Sequence, residues 1–231
     1  MIDTLFLDAG GVLVHPSWTR VSAALAEAGI AVDAARLAAA EPHAMRALDE
    51  ATLVGATTDQ KRGWMYFELI LEQVGVPRSE ATDAALDVLR TYHQQHNLWE
   101  HVEDDVVPAL ASFRERGLRL VVVSNANGRL RHLFDRLDLS RWFDRLLDSH
   151  EWGVEKPDPR LFRLALEASG SSPASTVHVG DLYHVDVAGA RRAGLADALL
   201  FDVAALYPDA DCPRIRTLAE INSWLDARAR A

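Results

Sequence analysis

Short apolar segments that alternate with helical segments constrain the fold of this chain more than any other feature of its sequence. The strand candidates are residues 4–7, 118–123, 146–147, 176–179 and 198–201. Segments with helical periodicity lie between and after them, at residues 106–116, 129–137, 159–169, 186–193 and 218–227. Strands that alternate with helices predict a parallel sheet with helices on both faces, which is a doubly wound, Rossmann-like α/β fold.

One long segment interrupts this alternation. From residue 16 to residue 99 no strand pattern occurs, and apolar residues recur at helical spacing, for example over 18–28 and 64–74. We therefore expect an inserted α-helical domain of roughly three to five helices at 16–99. The α/β core would then be discontinuous, formed by residues 1–15 and 100–231.

Composition excludes several classes of protein. The formal net charge is −10, which argues against electrostatic binding of nucleic acid or of an anionic membrane. A single cysteine, Cys212, excludes an intramolecular disulfide. Asp3 and Asp8 interrupt the short apolar start, and no apolar run approaches the roughly 20 residues that span a bilayer. We expect a cytoplasmic protein, and both a monomer and a homodimer remain open.

Polar side chains follow three of the predicted strands. Asp8 ends the first strand, Ser124 and Asn125 follow the second, and Asp181 lies just after 176–179. The carboxyl ends of parallel strands meet at one edge of a sheet, where ligands bind. Lys156, in the loop before a predicted helix, is one of only two lysines among 24 basic residues. Carboxylates, a hydroxyl and an ammonium together suit Mg²⁺ and a phosphoryl group.

Each of these residues alone also has an ordinary structural explanation. An Asp at a strand end commonly belongs to a turn or a cap, and Ser124 is compatible with a helix N-cap. Lys156 is compatible with a solvated loop. Asp181 and Asp186 are compatible with caps of the following helix. Only their order and context favour a joint function.

Four segments resemble the motifs of the haloacid-dehalogenase superfamily of hydrolases. They are Phe-Leu-Asp-Ala-Gly-Gly-Val-Leu at 6–13, Val-Val-Ser-Asn at 122–125, Glu-Lys-Pro-Asp-Pro at 155–159, and Val-Gly-Asp at 179–181 with the carboxylate of Asp186. They follow the order of that family and span nearly the whole chain. The helical block lies where the family inserts a mobile helical cap between its first two motifs.

The resemblance implies an enzyme that acts on a small phosphorylated substrate. It implies that Asp8 attacks the substrate and forms an aspartyl-phosphate, so that a carboxylate is the covalent catalyst. Ser124 would donate a hydrogen bond to a phosphoryl oxygen, and Lys156 would neutralise charge between Asp8 and the phosphoryl group. Asn125 and Gly11 would complete the substrate-binding residues.

The resemblance also implies a bound Mg²⁺ ion. Its ligands would be the Asp8 carboxylate, the backbone carbonyl of Gly10 and the Asp181 carboxylate, with waters at the remaining positions. Asp186 would be an additional ligand or an outer carboxylate that orients the metal-bound waters.

Gly10 departs from the pattern of the phosphatases in this family. They usually carry a second Asp two residues after the nucleophile, which protonates the leaving alkoxide and later activates water. General acid–base catalysis contributes about 10²–10⁴-fold, so alkyl phosphates would be poor substrates here. His15 is our preferred replacement for the missing acid, and His43 and Glu68 are looser candidates.

Other functions remain open at this point. Relatives that cleave carbon–halogen or phosphorus–carbon bonds also lack that second Asp. The dehalogenases place Tyr there and lack the Gly-Asp pair at 180–181, whereas the phosphonoacetaldehyde hydrolases place Ala there and use a cap lysine. Lys61 is the candidate for such a lysine, although its polar neighbours favour a solvated helix start. A metabolite-binding protein without turnover is a further alternative. We expect a Mg²⁺-dependent phosphatase.

Overall fold

The computed structural model describes residues 1–230, without the side chain of Gln60. The chain divides into two compact units. The first combines Met1–His15 with the chain from Val102 onward, and the second is Pro16–His101. That the second unit acts as a mobile cap stays a prediction. Among residues 1–230, no helix combines the length and the apolar character needed to cross a membrane.

The first unit is built around a six-stranded sheet. Its strands are β1 (Thr4–Leu7), β2 (Arg119–Ser124), β3 (Arg145–Asp148), β4 (Thr176–Gly180), β5 (Asp197–Phe201) and β6 (Arg214–Ile215). Their order is β3-β2-β1-β4-β5-β6, and every neighbouring pair is parallel. The strand order reverses between β1 and β4, and ligands bind at such switch points of open α/β sheets. The predicted Rossmann-like fold is confirmed.

Eleven helices complete the described chain. In the second unit they are α1 (Trp18–Glu27), α2 (Ala34–Leu48), α3 (Ala51–Ala56), α4 (Asp59–Gln73) and α5 (Glu80–His96). In the first unit they are α6 (Val106–Glu115), α7 (Leu130–Arg136), α8 (Ser149–Trp152), α9 (Pro159–Ser169), α10 (Ala188–Ala193) and α11 (Glu220–Ala229). The predicted absence of strands from the helical block is thereby confirmed for its described residues.

Apolar side chains point alternately to the two faces of the sheet along each strand, and helices cover both faces. Phe6 and Val121 point to one face, where they pack with Phe162 of α9 and Ala190 of α10. Strand neighbours of Phe6, such as Leu5, point to the opposite face and are equally buried. Helix α6 lies outside that cluster and contacts β2. The strands are mostly apolar because both faces are covered.

The second unit has a core of a different composition. Its helices pack around aromatic side chains, and the ring of Phe67 lies 5.0 Å from that of Tyr66, 6.2 Å from Trp18 and 5.8 Å from Trp99, measured between centroids. Side-chain packing of this kind, rather than backbone pairing between strands, holds the five helices together.

The sequence placed two helix starts wrongly. The helix predicted at 186–193 is instead a π-helical turn, Tyr183–Val187, that continues into α10. The helix predicted from Trp64 begins five residues earlier, because the Thr58 side chain accepts a hydrogen bond from the Lys61 amide and caps α4.

Candidate active site

Asp8 lies immediately after β1, where its amide still donates to the carbonyl of Val179 on β4. Its Oδ1 accepts two hydrogen bonds, from the amide of Ala9 at 2.8 Å and from Nζ of Lys156 at 2.8 Å. Within residues 1–230, Oδ2 accepts none. Burial raises the pKa of Asp8 above its ordinary value, and the Lys156 ammonium opposes this shift. One carboxylate oxygen is therefore held in place while the other stays available.

Lys156 is fully buried, which is rare for a lysine unless it is paired. Its Nζ lies between two carboxylates, 2.8 Å from Asp8 Oδ1 and 2.7 Å from Asp186 Oδ1. Burial alone would lower the pKa of Lys156, but the charges of Asp186 and Asp8 raise it above its ordinary value. The side chain is accordingly a fixed ammonium ion beside Asp8.

Asn125 holds the backbone of Lys156. The Lys156 amide donates to Asn125 Oδ1 at 2.7 Å, and Asn125 Nδ2 donates to the Lys156 carbonyl at 2.9 Å. These two bonds join the end of β2 to the loop before α9. The contacts indicate that Asn125 positions Lys156, and its predicted part in substrate binding stays a prediction.

Asp186 has no solvent exposure and lies on the π-helical turn after β4. Its Oδ1 is shared by Lys156 Nζ and by Nε2 of His178 at 2.8 Å, and its Oδ2 accepts from the Leu182 amide at 3.1 Å. Burial opposes ionisation, yet Lys156 and His178 together lower the pKa of Asp186 well below its ordinary value. Asp186 is therefore an ionised carboxylate that accepts three hydrogen bonds.

His178 is a member of this group that was not predicted from the sequence. The residue lies inside β4, and nothing in a buried apolar strand marks one imidazole as part of a site. The only available signal was a polar side chain in the middle of such a strand, which more often indicates a satisfied core residue.

Asp181 follows β4, and its carboxylate packs against the turn after β1. A Cβ atom on Gly11 would lie 2.1 Å from Asp181 Oδ2, and Gly11 has φ +73°. Only glycine fits this position without strain. Burial and the charges of Asp8 and Asp186 raise the pKa of Asp181 well above its ordinary value. The carboxylate thus lies in a pocket with excess negative charge.

A divalent cation suits this group of side chains. Carboxylate oxygens of Asp8, Asp181 and Asp186 lie within 4.8 Å of one another. The single ammonium of Lys156 leaves their charge undercompensated, and hard oxygen ligands are those that Mg²⁺ prefers. Asp186 already accepts three hydrogen bonds, so Asp8 and Asp181 fit direct coordination better than Asp186 does.

The other predicted site residues of the first unit make fewer contacts with the carboxylate group. Ser124 is buried at the end of β2. Within the part of the chain that the structure describes, its Oγ makes only a long 3.4 Å contact with the Asn125 carbonyl, so the hydroxyl can still donate elsewhere. Gly10 and His15 lie in and just after the turn that follows Asp8. The roles given to these three residues stay predictions.

The candidates in the second unit have local environments of their own. Glu68 on α4 pairs with Arg78 at 3.7 Å, and both side chains are exposed. Lys61 is exposed in the first turn of α4, as expected for a solvated helix start. His43 lies on α2 and is exposed. None of these observations assigns a catalytic role to the three residues.

Comparison with known proteins places this geometry in context. Residues 2–194 match the family model described as haloacid dehalogenase-like hydrolase. A cattle protein, haloacid dehalogenase-like hydrolase domain-containing protein 3, is 30% identical over 200 residues, covering 85% of this chain and 79% of the relative. A glyceraldehyde 3-phosphate phosphatase of Methanopyrus kandleri is 34% identical over 131 residues, covering 56% of this chain and 55% of that protein.

Other matches agree on the fold. The crystal structure of the magnesium-bound HAD hydrolase YfnB from Bacillus subtilis has a TM-score of 0.69 and 19% identity, and the match covers 97% of this chain and 99% of that one. The chain spans about half the length of several curated relatives, for example 50% of a mouse protein of the same description as the cattle one. The match of the family model over most of the sequence shows that the chain belongs to the haloacid dehalogenase-like hydrolases.

Proposed function

We propose that this chain is a Mg²⁺-dependent phosphatase of a small phosphorylated metabolite, with Asp8 as its nucleophile. The observation that carries the proposal is the arrangement of Lys156, which holds one oxygen of Asp8 and leaves the other without a hydrogen bond. The phosphatase among the relatives supports the choice of a phosphate ester as substrate.

In this mechanism, Asp8 Oδ2 attacks the phosphorus atom of the ester. A P–O bond to Asp8 forms, the P–O bond to the leaving alcohol breaks, and an aspartyl-phosphate results. The Lys156 ammonium and the Ser124 hydroxyl stabilise the charge on the phosphoryl oxygens. A bound Mg²⁺, held by Asp8 and Asp181, would supply further charge neutralisation. Water then hydrolyses the acyl phosphate and releases inorganic phosphate and free Asp8.

Gly10 determines which esters would react well. Because glycine has no carboxyl group, it cannot protonate the departing alkoxide. Aryl esters leave as stabilised phenolates and depend less on that proton, so we expect them to react faster than alkyl esters. His15 remains our candidate for a partial replacement of the acid.

The test is phosphate release from p-nitrophenyl phosphate and from a panel of alkyl phosphates, with Mg²⁺ and with EDTA. We expect the wild type to hydrolyse the aryl ester only with Mg²⁺, and Asp8→Asn to lose about 10⁴-fold or more. Gly10→Asp should raise turnover of alkyl esters by about 10²-fold or more if the carboxyl restores acid catalysis.

Asp148→Asn is a matched control, since Asp148 is also a buried carboxylate at a strand end. It should keep the activity of the wild type. A wild type that hydrolyses no ester in the panel would overturn the proposal.

A further inference from the structure

His178 is a buried ionisable side chain that the proposed reaction does not use. It lies on β4 with no solvent exposure, and its ring packs edge-on against Phe162 at 4.9 Å between centroids. Its neighbours on the adjacent strands, Phe6 and Ala198, belong to the apolar core. Within the described residues, its one polar contact is the 2.8 Å hydrogen bond between Nε2 and Oδ1 of Asp186.

The second ring nitrogen of His178 has no hydrogen-bond partner. Nδ1 is buried and makes no such bond within the described part of the chain. Because an ionised carboxylate only accepts hydrogen bonds, Nε2 must carry the hydrogen in this contact. Nδ1 is then a buried polar atom without a hydrogen-bond partner, which lowers the stability of the fold. An apolar residue would avoid that loss, so the imidazole at this position suggests a use for its Nε2–H group.

That group acts on the orientation of Asp186. Three donors reach this carboxylate from three parts of the chain: His178 on β4, Lys156 before α9, and the amide of Leu182. His178 and Lys156 share one oxygen, Oδ1. Without the imidazole hydrogen bond the carboxylate could rotate, and the ammonium on the same oxygen would move relative to Asp8.

We infer that His178 is a positioning residue for the reaction at Asp8. Its Nε2–H fixes Asp186 so that the shared oxygen holds the Lys156 ammonium beside the nucleophile. The inference rests on the proposed function, and His178 itself touches neither the substrate nor the reacting atoms.

Three substitutions test this role through the reach of their side chains. The amide nitrogen of Gln extends about as far as Nε2 of histidine, that of Asn only about as far as Nδ1, and Leu donates nothing. With p-nitrophenyl phosphate and Mg²⁺, we expect His178→Gln to retain most of kcat. His178→Asn and His178→Leu should each lose about 10–100-fold in kcat, while KM stays within about threefold.

Thr176→Val is the matched control for packing in β4. Thr176 is also fully buried, and its hydroxyl donates to the Ser172 carbonyl at 2.7 Å. This variant should lower the Tm without lowering kcat. Equal losses in all three His178 variants, or losses that follow the Tm as closely as in this control, would show that His178 only packs.

Nitrogen NMR of the imidazole separates this inference from the proposed function. We expect a His178 ring protonated at Nε2, with a signal that shifts in Lys156→Met because both side chains bind the same oxygen. A ring protonated at Nδ1, or a signal unaffected by Lys156→Met, overturns the inference. Both results can be obtained even if the wild type hydrolyses no ester, an outcome that would overturn only the phosphatase proposal.

Discussion

Asp8 and Asp148 are the same residue type at the same edge of one sheet, yet their surroundings differ. Asp148 ends β3, is buried, and accepts hydrogen bonds from the amides of His150 and Leu130. It caps α8 and joins it to α7. Asp8 directly follows β1 and meets the ammonium of Lys156 together with two further carboxylates. Burial at a strand end is therefore common to a cap and to a candidate nucleophile, and the partners decide between them.

The charges near each carboxylate explain the difference. Backbone amides satisfy Asp148 locally, with partners 2 and 18 residues away along the chain. Asp8 depends on Lys156, which pairs with Asp186 a further 30 residues along the chain. The Asp148 carboxylate stabilises the start of the neighbouring helix, whereas the carboxylates around Asp8 together form a negatively charged group that a cation can bind.

Removing the Lys156 ammonium should have the largest effect on stability and turnover. Lys156→Met leaves Asp8 and Asp186 buried without their cation, and breaking a buried ion pair on one side costs about 3–5 kcal/mol of unfolding free energy. Phosphatase turnover should fall by about 10²–10³-fold. Urea unfolding and steady-state kinetics measure the two effects. Lys61→Met, at an exposed helix start, should change neither the stability nor the turnover. An equal loss in Lys61→Met would show that the buried position of Lys156 is not the cause.

Gly11→Ala should have the next largest effect. The new Cβ would lie 2.1 Å from Asp181 Oδ2, and the alanine would have to adopt the left-handed backbone conformation of Gly11. We expect a loss of about 1–3 kcal/mol in stability and a weaker response of activity to Mg²⁺. Gly29→Ala has a similar φ of +80° with nothing within 4 Å of its Cβ. Gly29→Ala should lose stability through backbone strain alone, and its activity should respond to Mg²⁺ as that of the wild type does.

Asp148→Asn should have a smaller effect. An Asn side chain caps a helix about as well as Asp does, but its amide nitrogen is a donor, so Asn can accept from only one of the two backbone amides through its oxygen. We expect a loss of about 1 kcal/mol in urea unfolding and an unchanged kcat. A fall in kcat comparable with that of Asp8→Asn would mean that the two strand ends share one function.

Removing a solvent-exposed ion pair should have the smallest effect on the free energy of unfolding. Arg141 and Asp138 lie 3.0 Å apart with side chains 60% and 72% exposed. Because water screens such pairs, Arg141→Ala should cost no more than about 0.5 kcal/mol in urea unfolding. A loss near that of Lys156→Met would contradict the view that burial makes the Lys156 pair distinctive.

Local sequence signals were sufficient for much of the fold. Helix α9 begins and ends at the predicted residues because Asp158 caps it, Pro159 occupies its first turn and Gly170 ends it in a left-handed conformation. The strand β6 was missed because two residues carry no periodicity. The π-helical turn at Tyr183–Val187 was missed because its width comes from hydrogen bonding around Asp186, not from residue propensity.

The sequence by itself determined most of the succession of strands and helices along the chain and the polar residues that follow the strands. Apolar periodicity and caps act within a few residues of one another, so they can be recognised along the chain. Only the tertiary structure decided that Asn125 holds the backbone of Lys156, 31 residues away, and that His178 binds Asp186. Those contacts join side chains that only the sheet brings together, and a hydrogen bond depends on distances that sequence spacing does not encode.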